Sequence, residues 1–476
     1  MPRRAVVIGA GLAGMLAAAA LAGAADEVVV LDGDALPDGP DHRKGLPQGR
    51  HAHILMAGGL AAMEELVPGA GVRKRLLAAG AHELSLGRDM VALTPEGWFR
   101  RWRHEGPAVL ACTRALLDWT VRDAVVTQAP VRVDVRPGTR VTGLLGGAGR
   151  VTGVRFHDGG GSGDGGDGGD GGTDRELTAD FVVDASGRGS RVTHWLAALG
   201  VTGVRERTVD TGLVNATRLY RAPEGAGRFP VTMVQADPYA GRPGRSGMIL
   251  PVEDGRWMVS LAGTRGAEPP DDADGFLRYA MELADPLVGR FIARAEPLTE
   301  VRISRSTHNH RRYLEKVRDW PEGLVVLGDA LATYNPAYGQ GMSVAALGAR
   351  LLAEEVRRAG GGLGSAGLAA RVQRGVVPWV DAAWLAAVGQ DVWYPQTRGA
   401  RPTPVDRLVT GYSRRLTKVS TGAYGAAAAL WEVTSLLAPP ARLFAPGTLL
   451  SVALGPLLPP LAGAPLTAAE RSLLAP

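Results

Sequence analysis

Three glycines stand close together near the start of the chain, in the run Gly9-Ala10-Gly11-Leu12-Ala13-Gly14. An apolar stretch at 4–8 precedes them and an alanine-rich stretch at 12–23 follows. In such a run the first glycine permits a tight turn, the second lets the backbone approach a pyrophosphate, and the third lets helix and strand pack closely. A helix opening at Leu12 and Ala13 aims free N–H groups and a partial positive charge at the phosphates. A second apolar strand at 27–31 ends at Asp32, 18 residues after Gly14, where a carboxylate can accept hydrogen bonds from ribose hydroxyls. The glycines alone are a weak signal. With a strand before them, a helix after them and an acid at that spacing, they specify a dinucleotide-binding β-α-β unit of about thirty residues.

NAD and FAD both use such a unit, and the choice comes from further along the chain. Leu324-Val325-Val326-Leu327-Gly328-Asp329-Ala330 is an apolar strand running into an aspartate, followed by Asn335-Pro336 and by Gly339-Gln340-Gly341-Met342. A long cofactor with a ribityl chain needs this second anchor. Asp329 can bind a ribityl hydroxyl, and a helix starting at Gly341 and Met342 can offer N–H groups to the carbonyl edge of a flavin. The pair of motifs therefore points to FAD.

These motifs, with Val183-Asp184-Ala185-Ser186-Gly187-Arg188-Gly189-Ser190 between them, resemble the para-hydroxybenzoate hydroxylase-like family of FAD monooxygenases over roughly residues 4–350. Arg114, in Thr113-Arg114-Ala115-Leu116-Leu117, matches the family arginine that reaches FAD from a helix start. The segments Arg43-Lys44-Gly45-Leu46-Pro47-Gln48-Gly49-Arg50-His51-Ala52-His53 and Asn335 to Ser343 look most like bacterial polyether-type polyketide epoxidases and, more distantly, squalene epoxidase. Many aromatic hydroxylases carry a histidine three residues after the motif aspartate; here that position is Ala332, which fits the epoxidase side.

The resemblance implies cofactor contacts at Gly9, Gly11, Leu12, Ala13, Gly14, Asp32, Arg43, Lys44, Arg114, Val141, Asp184, Gly187, Asp329, Pro336, Gly339, Gly341 and Met342. It implies insertion of one oxygen atom from O2 through a flavin C4a-hydroperoxide, most readily epoxidation of an apolar small-molecule or carrier-bound polyene in natural-product biosynthesis. Electrons would come from NADPH or NADH, directly or through a partner flavin reductase. Epoxidation requires no acid–base side chain, so no catalytic residue is named. Two alternatives share these motifs: an aromatic polyketide hydroxylase, and a non-redox cyclase or scaffold in which FAD is structural. A flavin halogenase is set aside, because its Trp-x-Trp-x-Ile-Pro segment is missing and the only lysines are 44, 74, 316 and 418.

The elements that must carry these residues can be read coarsely. Length, 476 residues, favours two or three structural units. The expected fold is α/β and α+β: a Rossmann-like FAD-binding domain (1–75, 105–200 and 300–365), an inserted antiparallel-sheet substrate domain (76–104 and 201–299), and a helical C-terminal region (366–476) with an apolar, proline-rich tail. A helix is expected over about 54–66 and two strands within 131–156. Consecutive strands are expected at 213–220, 231–235, 246–252 and 256–262, with helices through 365–435. The glycine–aspartate tract at 157–174 has almost no apolar side chain and reads as an exposed hairpin tip.

Other features are discounted. Lysine and arginine total 53 against 48 acids, with no basic stripe or nucleic-acid motif, so no nucleic-acid partner is expected. The single cysteine, Cys112, follows an apolar run and reads as a buried thiol. His51, His53, His308 and His310 read as packing or cofactor-edge groups rather than metal ligands, and no metal site is expected. Trp379, Trp384 and Trp393 read as core or pocket lining. Ser186 lacks the surroundings of a hydrolase nucleophile. The N-terminus imitates a secretory signal, but the glycines and the strand ending at Asp32 favour a retained fold and a cytoplasmic protein. No apolar run reaches membrane-spanning length; the nearest, 443–461, is broken by prolines and reads as an irregular tail packed on the body rather than lying on a membrane.

Overall fold

The computed structural model describes residues 2–158, 174–305 and 308–474. The fold is a Rossmann-like α/β unit joined to a large, mainly antiparallel sheet and a helical C-terminal region. Its first layer is a five-stranded parallel sheet in the order Leu324–Val326, Phe181–Asp184, Arg4–Ile8, Glu27–Leu31, Val133–Arg136. The three longest-buried strands read Val-Val-Ile, Val-Val-Val-Leu and Phe-Val-Val, as expected for strands covered on both faces. Helix Leu12–Ala22 packs on this sheet and against helix Gly341–Arg358, so the two motif helices lie side by side.

The second layer is a seven-stranded sheet in the order Arg302–Ser304, Val214–Arg221, Arg256–Gly263, Arg245–Val252, Val231–Val234, Met90–Thr94, Gly97–Trp98. The four strands expected between 213 and 262 are all present. One pairing departs from the antiparallel expectation: Val231–Val234 runs parallel to Met90–Thr94. Local alternation sets a strand's faces but not its distant partner, and this partner arrives from about 140 residues earlier.

Three further expectations need correction. The region 131–156 holds three strands, because Val133–Arg136 and Thr139–Gly147 are separated only by the Pro137-Gly138 turn and belong to different sheets. The helix expected over 54–66 is Ala57–Leu66, preceded by a two-residue strand, Ile54–Leu55, that pairs with Ala108–Ala111. The tail is not irregular throughout. Pro446 opens a helix, Pro446–Leu454, rather than breaking one. Proline at the first helical position loses only an N–H that would have no partner there.

The strands flanking the glycine–aspartate tract, Arg150–Asp158 and Asp174–Thr178, pair antiparallel. Residues 159–173, where the tip is expected, lie outside the described residues. Cys112 is buried, and burial pushes its thiol pKa far up. No helix among the described residues is long and apolar enough to cross a membrane.

Candidate functional site

The parallel register makes the site. Ile8 is level with Leu31 on one side and Asp184 on the other, and Asp184 is level with Val326. The chain therefore leaves the sheet at adjacent points on one edge, at Gly9, Asp32, Ala185 and Leu327. The first strand lies mid-sheet, with crossovers to either side of it, which is where doubly wound sheets open a crevice at their carboxyl edge.

Gly9 turns at φ +98°, and a Cβ there would lie 2.5 Å from the Ala185 carbonyl oxygen. A Cβ on Gly14 would lie 1.8 Å from the Gly9 carbonyl oxygen, so the helix must carry glycine to come this close. Gly11 is different: a Cβ there would meet nothing within 4 Å. It caps the helix with no side-chain hydrogen bond, leaving the N–H groups of the first turn, at Leu12 and Ala13, without intrahelical partners. An open space before a bare helix start fits a pyrophosphate.

Asp32 is buried at the end of its strand. Its Oδ2 accepts from the Ala10 amide at 2.6 Å and from Arg43 at 2.8 Å, and its Oδ1 accepts from the Asp34 amide at 2.9 Å. Arg43 also reaches Asp34 at 3.2 Å. The Thr139 amide donates to the Asp32 carbonyl, which brings the strand bearing buried Val141 beside this corner. Arg114 is the first residue of helix Arg114–Gln128, whose cap is Thr113, and it pairs with Asp118 at 2.7 Å. Arg43, Gly49, Arg114, Asp118 and Arg122 line one narrow cleft. Lys44 is exposed and is not drawn into this cluster.

Asp184 is fully buried, and its oxygens are engaged within its own segment. They accept from the Ser186 amide and hydroxyl, at 3.0 and 2.6 Å, and from the Ser190 hydroxyl at 2.6 Å. Burial raises its pKa against these bonds. The carboxylate thus shapes the turn that sets Ala185 against Gly9 and carries Gly187 into open space. The Ser186 hydroxyl, donating to Asp184, is part of that turn.

Asp329 has the opposite character. No protein hydrogen bond reaches its carboxylate among the described residues. Burial raises its pKa, opposed by the nearby charges of Arg188 and Arg114. The preceding Gly328, at φ +60°, would place a Cβ 2.7 Å from the Ala13 methyl, so the two glycine motifs touch here. A Cβ on Gly341 would lie 3.9 Å from Asp329 Oδ1. Helix Gly341–Arg358 begins there with no side-chain cap, leaving early N–H groups, Met342 included, without intrahelical partners. Pro336 opens the short turn Pro336–Tyr338, and Gly339 follows it. An unpaired acid beside a bare helix start fits a ribityl hydroxyl and a flavin carbonyl edge. The residues present therefore suit FAD.

Two arrangements were not legible in the sequence. Asp391, fully buried at the end of helix Val377–Asp391, accepts from Asn309 at 2.6 Å, Asn335 at 3.1 Å and Tyr338 at 2.8 Å, which ties down the Pro336 turn. His51, buried and held neutral with its pKa lowered to about 4 by burial, is hydrogen-bonded to Thr217 at 2.8 Å, and Thr217 to Ser260 at 2.5 Å. This chain links the 43–53 loop to the seven-stranded sheet. On the same sheet Leu219, Met233 and Met248 lie half-buried in one cluster with Ala52, Ile54 and Met56, giving the face beside the loop an apolar, adaptable lining. His53 donates to the His51 carbonyl. His310 faces Glu206 at 3.4 Å, and among the described residues no three His, Cys, Asp or Glu side chains converge as metal ligands. The C-terminal region reaches the site as well: Gln340 donates to the Thr434 carbonyl, and the Gly58 amide to the Ser435 carbonyl. Trp384 is core, while Trp393 is half-buried and meets Tyr239 edge-on.

Comparison with known proteins places this geometry. A family model described as "FAD binding domain" matches residues 3–370. Protein Rv3254 of Mycobacterium tuberculosis is 32% identical over 411 residues, covering 84% of this chain and 82% of that protein. Among solved structures, the myxobacterial chondrochloren halogenase CndH has a TM-score of 0.61 at 19% identity, covering 91% of this chain and 97% of its own. PqsL of Pseudomonas aeruginosa, a probable FAD-dependent monooxygenase, has a TM-score of 0.60 at 18% identity, covering 83% and 97%. At these identities the two structures share the fold.

Proposed function

Because the chain belongs to the FAD-binding-domain family, we propose that it is an FAD-dependent monooxygenase that epoxidises an alkene of an apolar polyketide or polyene. The observation that carries this reading is the pairing of the Asp329–Gly341 corner with an apolar, methionine-lined sheet face across the 43–53 loop. The parallel-sheet unit would hold FAD, with the Gly11 helix start on the pyrophosphate, Asp32 on the adenosine ribose, and Asp329 with the Gly341–Met342 amides on the ribityl chain and flavin. The seven-stranded sheet would form the substrate domain, and helix Tyr424–Thr434 of the C-terminal region would close the pocket.

Bound and reduced by NADPH or NADH, directly or through a partner reductase, FAD supplies oxygen activated from O2. The chain's own part is to bind, orient and exclude water. Leu219, Met233 and Met248 offer an alkene dispersion contacts. Neutral His51, hydrogen-bonded through Nδ1 to Thr217, keeps this wall free of charge. Ala332 leaves the loop after Asp329 without an imidazole.

The test is incubation of the purified protein with a linear polyene, reductant and isotopically labelled O2, followed by mass spectrometry. One labelled oxygen in an epoxide, absent without reductant, is expected. An isomer of unchanged mass, formed equally well without oxygen, would leave FAD a structural part. A labelled phenol formed only from aromatic polyketides would assign the chain to the hydroxylases.

A further inference from the structure

The C-terminal region carries an apolar surface that the rest of the chain does not cover. Of the fourteen large hydrophobic side chains exposed among the described residues, ten lie between residues 405 and 458. Helix Pro404–Ser420 accounts for part of it. Val405, Leu408, Val409 and Tyr412 recur at helical spacing and form one stripe. The stripe continues into Leu416 and Val419, which are buried against Ala423, Ala426 and Val452. Its second half is thus covered and its first half is bare, with Leu408 78% exposed.

The tail extends the bare half. Leu454 and Leu457 are 71% and 76% exposed, on and just after helix Pro446–Leu454. The two parts form one surface. Tyr412 stacks on Phe444 with ring centres 5.0 Å apart, its hydroxyl donates to the Leu443 carbonyl, and Arg415 donates to the carbonyls of Val452 and Ala453. Surfaces of this kind on one face of a chain mark interaction sites.

Charge indicates the partner. Residues 397–466 hold seven basic and two acidic side chains, an excess of five that equals the formal charge of the whole chain. Arg414 and Arg442 pair with Glu96 and Glu432. Asp406 is taken up in capping its helix with Thr403. Among the described residues no carboxylate pairs with Arg401, Arg407, Arg415 or Lys418. A twofold contact with a second copy would set this excess of cations against itself. An anionic bilayer surface meets both features, taking leucines into its interface and cations onto its headgroups.

We propose that the face built from helix Pro404–Ser420 and residues 443–458 docks the protein on the surface of a lipid bilayer containing anionic lipid. The contact is peripheral, since no helix among the described residues is long and apolar enough to cross. It stands apart from the reading of the active site, because none of these side chains belongs to that site.

The experiment is co-sedimentation of the full chain with phosphatidylcholine vesicles, with and without phosphatidylglycerol, at low and high salt. The protein should pellet with the anionic vesicles, weaken at least tenfold in apparent affinity at high salt, where the screening length falls to about 3 Å at 1 M, and lose binding on the double substitution Leu408→Gln, Leu454→Gln. Both leucines are exposed, so the variant should keep the wild-type circular dichroism and melting curve. A second variant, Arg407→Gln with Lys418→Gln, should bind anionic vesicles several-fold more weakly. No pelleting with either vesicle overturns the proposal, and so does equal, salt-independent binding to both. Sedimentation velocity run alongside shows whether the leucine variant instead breaks a dimer; a dimer that binds no vesicle also overturns it.

Discussion

Asp391 offers a severe test of how the cofactor corner is held. Its carboxylate joins three segments: Asn309 on strand Asn309–Arg312, Asn335 and Tyr338 around the Pro336 turn, and its own helix. The Asn335 amide adds a bond to Asn309 Oδ1 at 2.7 Å. Asp391→Ala would strand three donors in a place that has no exposed surface at the carboxylate. Each buried donor left unpaired costs about 1–3 kcal/mol. Water entering the vacated space recovers part of that, so a loss of about 3–5 kcal/mol is expected. For a cooperative unit of 150–250 residues this is a fall in melting temperature of at least about 6 °C. Asp391→Asn keeps one acceptor oxygen and should lose roughly half as much.

The same residue predicts a pH signature. Burial, the largest effect, raises the Asp391 pKa, and the bonds from Asn335, Tyr338 and Asn309 oppose it. A group whose pKa is higher folded than unfolded contributes stability that is full below the unfolded value, about 3.9 for aspartate, and is lost as pH rises through the folded value. Asparagine does not titrate. The stability margin of wild type over Asp391→Asn should therefore be widest in acid and narrow as pH rises. Melting followed by circular dichroism at several pH values measures both effects. An alanine variant that melts within about 1 °C of wild type, or a margin that widens with pH, would refute the reasoning.

Two further outcomes are expected. Asp329→Ala should weaken FAD binding by about 1.5–3 kcal/mol, roughly 10- to 150-fold in Kd, while the flavin-free protein melts no lower than wild type, because among the described residues no protein hydrogen bond to the carboxylate is lost and its burial is relieved; flavin titration and melting of the stripped protein check the two halves separately. Replacing residues 159–172 by a short turn should leave melting temperature and flavin content unchanged, since a tract almost without apolar side chains adds nothing to a core and the flanking strands keep their own pairing and the Arg175–Asp158 ion pair; a large fall in melting temperature would show the tract to be structural.

What could be read in the sequence, and what could not, divides by the reach of the interaction. The Gly9–Gly14 run was legible because its constraint is local: the carbonyl that forbids a Cβ on Gly14 belongs to Gly9, five residues away. The four strands between 213 and 262 were legible because alternation is a property of each strand. The parallel partner of Val231–Val234 was not, since backbone pairing carries no residue code across 140 positions. The Asp391 network was hidden for the same reason: its partners lie 53 to 82 residues away, and each is an ordinary polar side chain until folding buries them together. The proline at 446 misled because its meaning depends on where the helix begins, which is decided by the packing of the tail on helix Tyr424–Thr434.

The three motif aspartates show how far type and spacing reach. Asp32, Asp184 and Asp329 each follow an apolar strand at the same sheet edge, and in sequence each looks equally ready to hold a ligand. Their hydrogen bonds separate them. Asp184 accepts three bonds from its own serine-rich turn, so it is a fixture of the backbone that sets Gly187 and Ala185 in place. Asp32 is shared: it accepts from Ala10 and Asp34 amides, which fix its position, and from the Arg43 side chain. Asp329 accepts no protein hydrogen bond among the described residues, and burial raises its pKa against the nearby charges of Arg188 and Arg114. A half-buried acid with no partner is costly unless a donor arrives. The free acid, the bare helix start at Gly341 and the open ground before Gly11 are three unsatisfied features among the described residues of this edge, and one extended molecule with hydroxyls, an acceptor edge and a pyrophosphate satisfies all three.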